Sequence, residues 1–523
     1  MADTQVQTMT GAEALVSTLA DHGVTACFAN PGTSEMHLVT ALDHEPRIKS
    51  VLCLFEGVAT GAADGHARVT GGPAMTLLHL GAGYMNGGAN IHNAKRAWTP
   101  MINVIGDHAV PHLRYDAPLT SNIMGLAGPN SNWIKSADKV ADAGNLAAEA
   151  WEASFGPVPG PVSLLLPADT AWTEGGKPGK RRARPMLHKP DAARIEDAAR
   201  KLKEAKKPVI LINGTALTSE GLAQGARLKA AGLRVMTDTF FQRQARGAGT
   251  FIPDRMQYFA EAAISDLEGA DLMLIAGTQA PVAFFSYPGK PSLLVPEGCE
   301  PYIIGGPETD SAAILGALAD AIGAKESSDF AELDIPGQPT GDLNAMTVGM
   351  ALSRHMPEGA FVSDDGVSNG LPCFLMTQKT RPHDWMMLTG GAIGQGMPLA
   401  LGAAVAAPDR KVLCISGDGA GMYTNQALWS MAREEANVVN VVFVNHSYRI
   451  LNIELARTGA GNPGPTAKSM LELGEPEIDW VKLAEAQGVE AQDAFTAEEF
   501  DAALERAFAA DGPQLIAAHV PAR

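Results

Sequence analysis

Short β-branched apolar runs alternate along this chain with alanine-rich amphipathic stretches. The runs VTACFAN (24–30), PMINVIGD (100–107), PVSLLLP (161–167), KPVILING (207–214), DLMLIAG (271–277), KVLCISGDG (411–419) and VVNVVFVN (438–445) read as strands. Windows such as GAEALVSTLADHG (11–23) and GLAQGARLKAAG (221–232) read as helices. Strand and helix in alternation predict parallel α/β units whose sheets are buried on both faces. Two stretches of different character interrupt the pattern. TEGGKPGKRRARPMLHKPDAAR (173–194) is rich in Gly, Pro and basic residues and KESSDFAELDIPGQPTGDL (325–343) is polar, so both read as solvated linkers. They divide the chain into three doubly wound parallel-sheet domains, expected at residues 1–175, 190–330 and 343–523.

Composition narrows the partners. The 523 residues are 46% apolar and carry a formal net charge of -18, which argues against nucleic acid or an anionic membrane surface as a partner. Five scattered cysteines (Cys27, Cys53, Cys299, Cys373, Cys414) include no CxxC pair, so neither a disulfide framework nor a zinc site is indicated. The N-terminus lacks a basic region followed by an apolar core, and no uninterrupted apolar segment is long enough to span a membrane. A soluble, cytoplasmic, unprocessed protein is expected.

The chemistry gathers around VLCISGDGAGMYTNQALWSMAREEANVVNVVFVNHSYRIL (412–451). The turn Gly417-Asp418-Gly419 puts a carboxylate at the C-terminal end of a strand, where open parallel sheets bind ligands, and its glycines let backbone approach one closely. MYTNQALWSMAREEAN (422–437) reads as a helix with an anion-binding N-terminus, and the next strand delivers Asn445 to the same sheet edge. Two oxygen ligands meeting there suit a hard divalent cation that also binds phosphate oxygens, with Mg2+ the leading candidate.

GDG followed by Asn 27 positions later resembles the magnesium and diphosphate motif of thiamine diphosphate-dependent enzymes. The resemblance implies metal ligation by Asp418, Asn445 and the main-chain carbonyl of Ser447; Val444 stands where many members have a first Asn. It also implies that Glu56, in LFEGVATGAADGHAR, contacts the aminopyrimidine ring of the cofactor. In TGGAIGQGMPLALGAA (389–404), Ile393 would prop the cofactor into its bent shape and the Gly391 carbonyl would accept a bond from its amino group. GPVSLLLPAD (160–169) resembles the strand that closes the family's pyrimidine domain. The three blocks then become pyrimidine-binding, middle and diphosphate-binding domains. A homodimer or homotetramer with active sites at the subunit interface is expected.

Within the family, FANPGTSEMH and LLHLGAG resemble two loops of benzoylformate decarboxylase, with Thr33 and His79 over the reacting carbon. His79 is expected to shuttle protons and Thr33 to hold the substrate carboxylate; His108 and His112 are further candidates to line the pocket. Where that decarboxylase uses a second histidine, this chain offers Phe284 and Phe285, leaving room for a carboligase. Acetolactate synthase large subunits are similar too, but the middle block lacks a GxGxxG fingerprint and no functional FAD is expected. The expected activity is cleavage next to the carbonyl of a 2-oxo acid, with release of an aldehyde or carboligation to a 2-hydroxyketone. The alternatives are a flavin-containing oxidase-type relative and a non-catalytic regulatory paralogue. RTGAGNPGPTAKSMLELG (457–474) reads as a lid.

Overall fold

The computed structural model describes residues 8–459 and 462–522, so residues 460 and 461 of the expected lid lie outside the described residues. After the two-residue strand β1 (Met9–Thr10), the first block builds a six-stranded parallel sheet. Its strands are β2 (Ala26–Asn30), β3 (Lys49–Leu52), β4 (Ala74–His79), β5 (Met101–Asp107), β6 (Ile134–Ser136) and β7 (Pro161–Pro167), in the spatial order β3-β2-β4-β5-β7-β6. β8 (Glu174–Gly176) returns antiparallel to β1. The middle block forms a five-stranded parallel sheet from β9 (Pro208–Ile212), β10 (Arg234–Thr237), β12 (Asp254–Arg255), β13 (Leu272–Ala276) and β14 (Glu300–Gly305), ordered β12-β10-β9-β13-β14. One strand of this block, β11 (Gln244–Arg246), leaves it and pairs antiparallel at the edge of the third sheet. That sheet also holds β15 (Ala360–Asp365), β16 (His383–Met387), β17 (Val412–Gly417), β18 (Val438–Val444), β19 (Glu490–Ala494) and β20 (Gln514–His519), ordered β11-β16-β15-β17-β18-β20-β19.

Burial on both faces holds for the central strands: every residue of β5, β7 and β18 is buried. Strand order reverses between β2 and β4 in the first sheet and between β15 and β17 in the third, and open α/β sheets bind ligands at such switch points. Thr33 and His79 follow the first reversal; Asp418 follows the second.

The helix Glu56–Thr70 crosses the helix Gly396–Ala406 at backbone contact. A Cβ at Gly402 would lie 1.8 Å from the Ala62 carbonyl oxygen, and one at Gly65 would lie 2.0 Å from that of Leu399. These glycines of the GVATGAADG and GMPLALGAA stretches therefore join the first block to the third. Beside the crossing, Asp64 and Arg68 form a fully buried ion pair at 2.7 Å. Arg68 donates onward to the carbonyls of Gln242 (3.1 Å) and Met387 (2.8 Å), so one helix ties all three blocks together.

The helix expected over 422–437 is shorter. Helix occurs at Asp418–Gly421 and again at Ala427–Arg433, with turns between. Thr424 Oγ1 donates 2.8 Å to the Gly394 carbonyl and Asn425 Nδ2 donates 3.1 Å to that of Met422; such side-chain bonds compete with the helical ladder.

Candidate active site

Glu56 is the first residue of its helix and is buried, so its carboxylate sits at the positive end of the helix dipole. Asn86 donates 3.0 Å to its Oε2. A Cβ on Gly83 would stand 3.2 Å from Glu56 Oε1 and 3.4 Å from His79 Cβ, so the absence of a side chain there keeps space beside both groups.

His79 ends β4, and its Nδ1 lies 2.8 Å from Glu35 Oε2 and 3.2 Å from Ser34 Oγ. Glu35 is fully buried, accepting also from the Gly32 N–H at 2.7 Å and the Ser34 hydroxyl at 2.6 Å. Two glycines make room: a Cβ on Gly32 would fall 2.3 Å from His79 Nδ1, and one on Gly106 would fall 1.8 Å from Glu35 Oε1. Nδ1 is thus engaged, leaving Nε2 as the nitrogen able to face a ligand. Thr33 stands exposed in the same turn, while its neighbour Ser34 makes the bond to His79. Ser34, Glu35 and Asn86 were not singled out by sequence reasoning. Glu35 had a local signal, since Gly-x-x-Glu repeats the spacing of a helix-capping box. His108 and His112 pack against one another with ring centroids 5.3 Å apart; His108 Nε2 is buried without a partner among the described residues and His112 is exposed.

On the third sheet, Asp418 follows β17 directly. Its Oδ1 accepts the Gly419 N–H at 2.8 Å, and its Oδ2 accepts those of His446 at 2.7 Å and Asn445 at 3.1 Å. Asn445 Oδ1 accepts the Ser447 N–H at 3.1 Å, which folds the loop after β18 back over the carboxylate. Burial raises the Asp418 carboxyl above its ordinary range, and the three N–H groups offset only part of that rise. Gly419 is required because a Cβ there would lie 2.4 Å from the Tyr448 ring, whereas a Cβ on Gly417 would meet nothing within 4 Å. Space beside Gly417 is therefore open. The segment after the undescribed pair is pinned to this loop: Tyr448 N–H donates 2.9 Å to Leu471 and Leu473 N–H donates 2.7 Å to His446.

Ile393 lies between two backbone clamps. On one side Asn93 donates 2.8 Å to the Ala392 carbonyl and accepts the Ala392 N–H at 3.2 Å. On the other, Asp365 Oδ2 accepts the Gly394 N–H at 2.8 Å and the Gly396 N–H at 3.1 Å. Burial pushes the Asp365 carboxyl up to about 7. Gly391 has a left-handed φ of 75°, and a Cβ there would fall 2.4 Å from the Phe284 ring. Phe284 belongs to an aromatic group with Phe240, Tyr258 and Phe285 at centroid distances of 5.6, 5.5 and 5.0 Å. A cavity of about 570 Å³ opens beside this group, and a larger one of about 950 Å³ opens among the three blocks near Arg68, Arg243 and Gly214. Neither is lined by Glu56, His79 or Asp418.

Comparison with known proteins assigns the class. Residues 9–126 match the N-terminal TPP binding domain of thiamine pyrophosphate enzymes, and residues 370–518 match their C-terminal TPP binding domain. The chain belongs to this family, whose cofactor is thiamine pyrophosphate, also called thiamine diphosphate. A Mycobacterium tuberculosis protein provisionally named acetolactate synthase large subunit IlvX is 46% identical, over 98% of this chain and 99% of its own length. The benzoylformate decarboxylase of Pseudomonas aeruginosa is 29% identical over 95% of this chain and 96% of its own. In fold, the thiamine diphosphate-dependent 4-hydroxybenzoylformate decarboxylase of Rhodococcus jostii RHA1 superposes with a TM-score of 0.86, covering 98% of this chain and 99% of that one at 23% identity. The protein is a thiamine diphosphate-dependent enzyme of the acetolactate synthase and benzoylformate decarboxylase type, with the three-domain fold of that family. No helix among the described residues is long and apolar enough to cross a membrane.

Proposed function

We propose that this enzyme holds thiamine diphosphate through a Mg2+ ion on Asp418, Asn445 and the Ser447 carbonyl, and cleaves the C–C bond next to the carbonyl of a 2-oxo acid. The fragment leaves as an aldehyde or joins an acceptor to give a 2-hydroxyketone. The observation that carries this reading is the setting of Asp418. It is a buried carboxylate met by main-chain N–H groups, with no lysine or arginine paired to it among the described residues, beside open space at Gly417. A hard divalent cation, shared with phosphate oxygens, would supply the missing positive charge. Gly417 and Gly419 would flank the diphosphate, and Gly391 and Ile393 would grip the pyrimidine ring.

When bound, the cofactor supplies a nucleophilic carbon and an electron sink for the bond being broken. The chain supplies the proton handling. Glu56 would exchange a proton, a reading supported by Asn86 fixing Oε2 while Gly83 keeps Oε1 clear. His79 holds and releases a proton at Nε2 while Glu35 and Ser34 fix its Nδ1. Thr33, exposed in the same turn, would hold the substrate carboxylate, and Phe284 would form an apolar wall against Gly391.

The working unit is a homodimer or homotetramer in the cytoplasm, with each site shared by two subunits. Exposed Leu54 (48%) and Met85 (56%) support the shared site, since they flank Glu56 and its partner Asn86 and a second subunit would cover them. The five cysteines are buried and unpaired, as suits a reducing compartment. Carbon-13 NMR of the protein with Mg2+, thiamine diphosphate and labelled benzoylformate or pyruvate, with and without an aldehyde acceptor, tests the reaction. Labelled aldehyde or 2-hydroxyketone supports it; no product from a panel of aromatic and aliphatic 2-oxo acids, in protein shown to bind the cofactor, would refute it.

A further inference from the structure

A second group of metal-binding side chains stands at the C-terminal edge of the third sheet. His446, Glu477 and His519 each place a ligand atom within 4.8 Å of the others. The topology explains why. His519 closes β20 opposite Val444 of the neighbouring parallel strand β18, and His446 lies two residues beyond Val444, so two imidazoles rise from adjacent strand ends. Their ring centroids are 6.5 Å apart. His519 is fixed from two sides: its Nε2 lies 2.7 Å from Asp493 Oδ1, and Phe495 stacks on it at 4.2 Å with planes 15° apart. His446 Nε2 and Glu477 Oε1 stand 3.6 Å apart, too far for a hydrogen bond.

We propose that His446, Glu477 and His519 form a second cation site, one that takes a divalent transition metal such as Zn2+. Two imidazoles and one carboxylate are a borderline donor set that suits zinc, cobalt or nickel rather than magnesium, which prefers oxygen alone. Three protein ligands leave a fourth position for water. Asp493 on His519 is the outer carboxylate that orients metal-bound imidazoles and raises their basicity. The donors also have room to close: Glu477 is 62% exposed on the side chain and rotates at little cost, while His519 is already held. The site is distinct from that of Asp418, to which His446 hydrogen-bonds through its backbone N–H and not through its ring. It nonetheless sits on the same loop, so a metal on the His446 ring would tether the segment of Glu477 to the turn that covers Asp418.

Calorimetric titration of tag-free protein, preloaded with Mg2+ and thiamine diphosphate, with Zn2+ tests the site without reference to turnover. The expected result is one zinc per chain at micromolar affinity, about tenfold or more weaker in Glu477→Gln and in His519→Ala. Glu477 is exposed, so its variant keeps the fold even if His519→Ala does not. Co2+ in place of Zn2+ should give the visible absorption of a four-coordinate ion in wild type and lose it in Glu477→Gln. Failure of wild type to bind zinc below millimolar concentrations, equal binding by wild type and Glu477→Gln, or release of one Mg2+ per zinc bound would overturn the proposal, the last by placing the zinc at Asp418.

Discussion

Asp418 is held by main-chain N–H groups of Gly419, Asn445 and His446, whereas His79 is held by the side chains of Glu35 and Ser34, which lie 44 and 45 positions away. The first arrangement follows from backbone geometry: a strand, a glycine turn and the next strand end bring the donors together whatever the surrounding side chains are. The second depends on a buried carboxylate that is useful only because Gly32 and Gly106 leave space around it. In the proposed reading, binding and chemistry are thereby separated. The backbone-built side is suited to hold a charged group, and the side-chain-built side is suited to move protons.

That contrast can be broken most directly on the proton side. Glu56→Gln keeps the size of the side chain and a partner for Asn86 but removes the exchangeable carboxyl proton, so turnover should fall by about 10³-fold, measured as initial rate of 2-oxo acid consumption. Glu35→Ala should act on stability and rate together. It leaves the Gly32 N–H and His79 Nδ1 without their buried acceptor, which should cost about 2 kcal/mol in urea unfolding, with a fall in kcat of about tenfold or more. Gly402→Ala probes the helix crossing instead of either site. Its Cβ would press into the Ala62 carbonyl, and a loss of about 1–3 kcal/mol is expected in the same unfolding assay.

A pH-dependent effect sharpens the comparison within one sheet. Asp365, like Asp418, accepts backbone N–H groups, but its Oδ1 is buried with no partner among the described residues, and its carboxyl is pushed up from 3.8 to about 7. The folded protein therefore keeps a proton that the unfolded chain gives up from about pH 4 upward, so this residue's contribution to stability falls as pH rises toward 7 and stays lower above it. Asp365→Asn removes the titration. Unfolding free energies of wild type minus variant should decline from pH 4.5 to pH 7 and level off beyond; a flat difference would show that Asp365 titrates normally.

Legibility in the sequence followed the same division. The runs 101–107, 161–167 and 438–444 appear as strands close to their expected bounds, because hydrophobic continuity marks a strand covered on both faces. GDG and Asn445 were legible for the reason that makes them meet, a local strand-helix-strand unit. Three features were not. β11 is a three-residue strand whose partner lies more than a hundred positions later, and nothing in QAR announces it. The break at 422–426 comes from Thr424 and Asn425 bonding to carbonyls, one of them in a distant loop. Glu35, Ser34 and Asn86 acquire roles only through tertiary contacts. The glycines of 57–65 and 396–402 also carried a second meaning: several serve helix-to-helix approach rather than a cofactor.

The division between binding and chemistry is tested most directly by titrating thiamine diphosphate in the presence of Mg2+ into wild type, Glu56→Gln and Asp418→Asn, with turnover measured on the same preparations. The account predicts that Glu56→Gln binds within severalfold of wild type yet loses turnover, and that Asp418→Asn remains folded but binds about 100-fold or more weakly. Wild-type affinity in Asp418→Asn, or full turnover in Glu56→Gln, would contradict it.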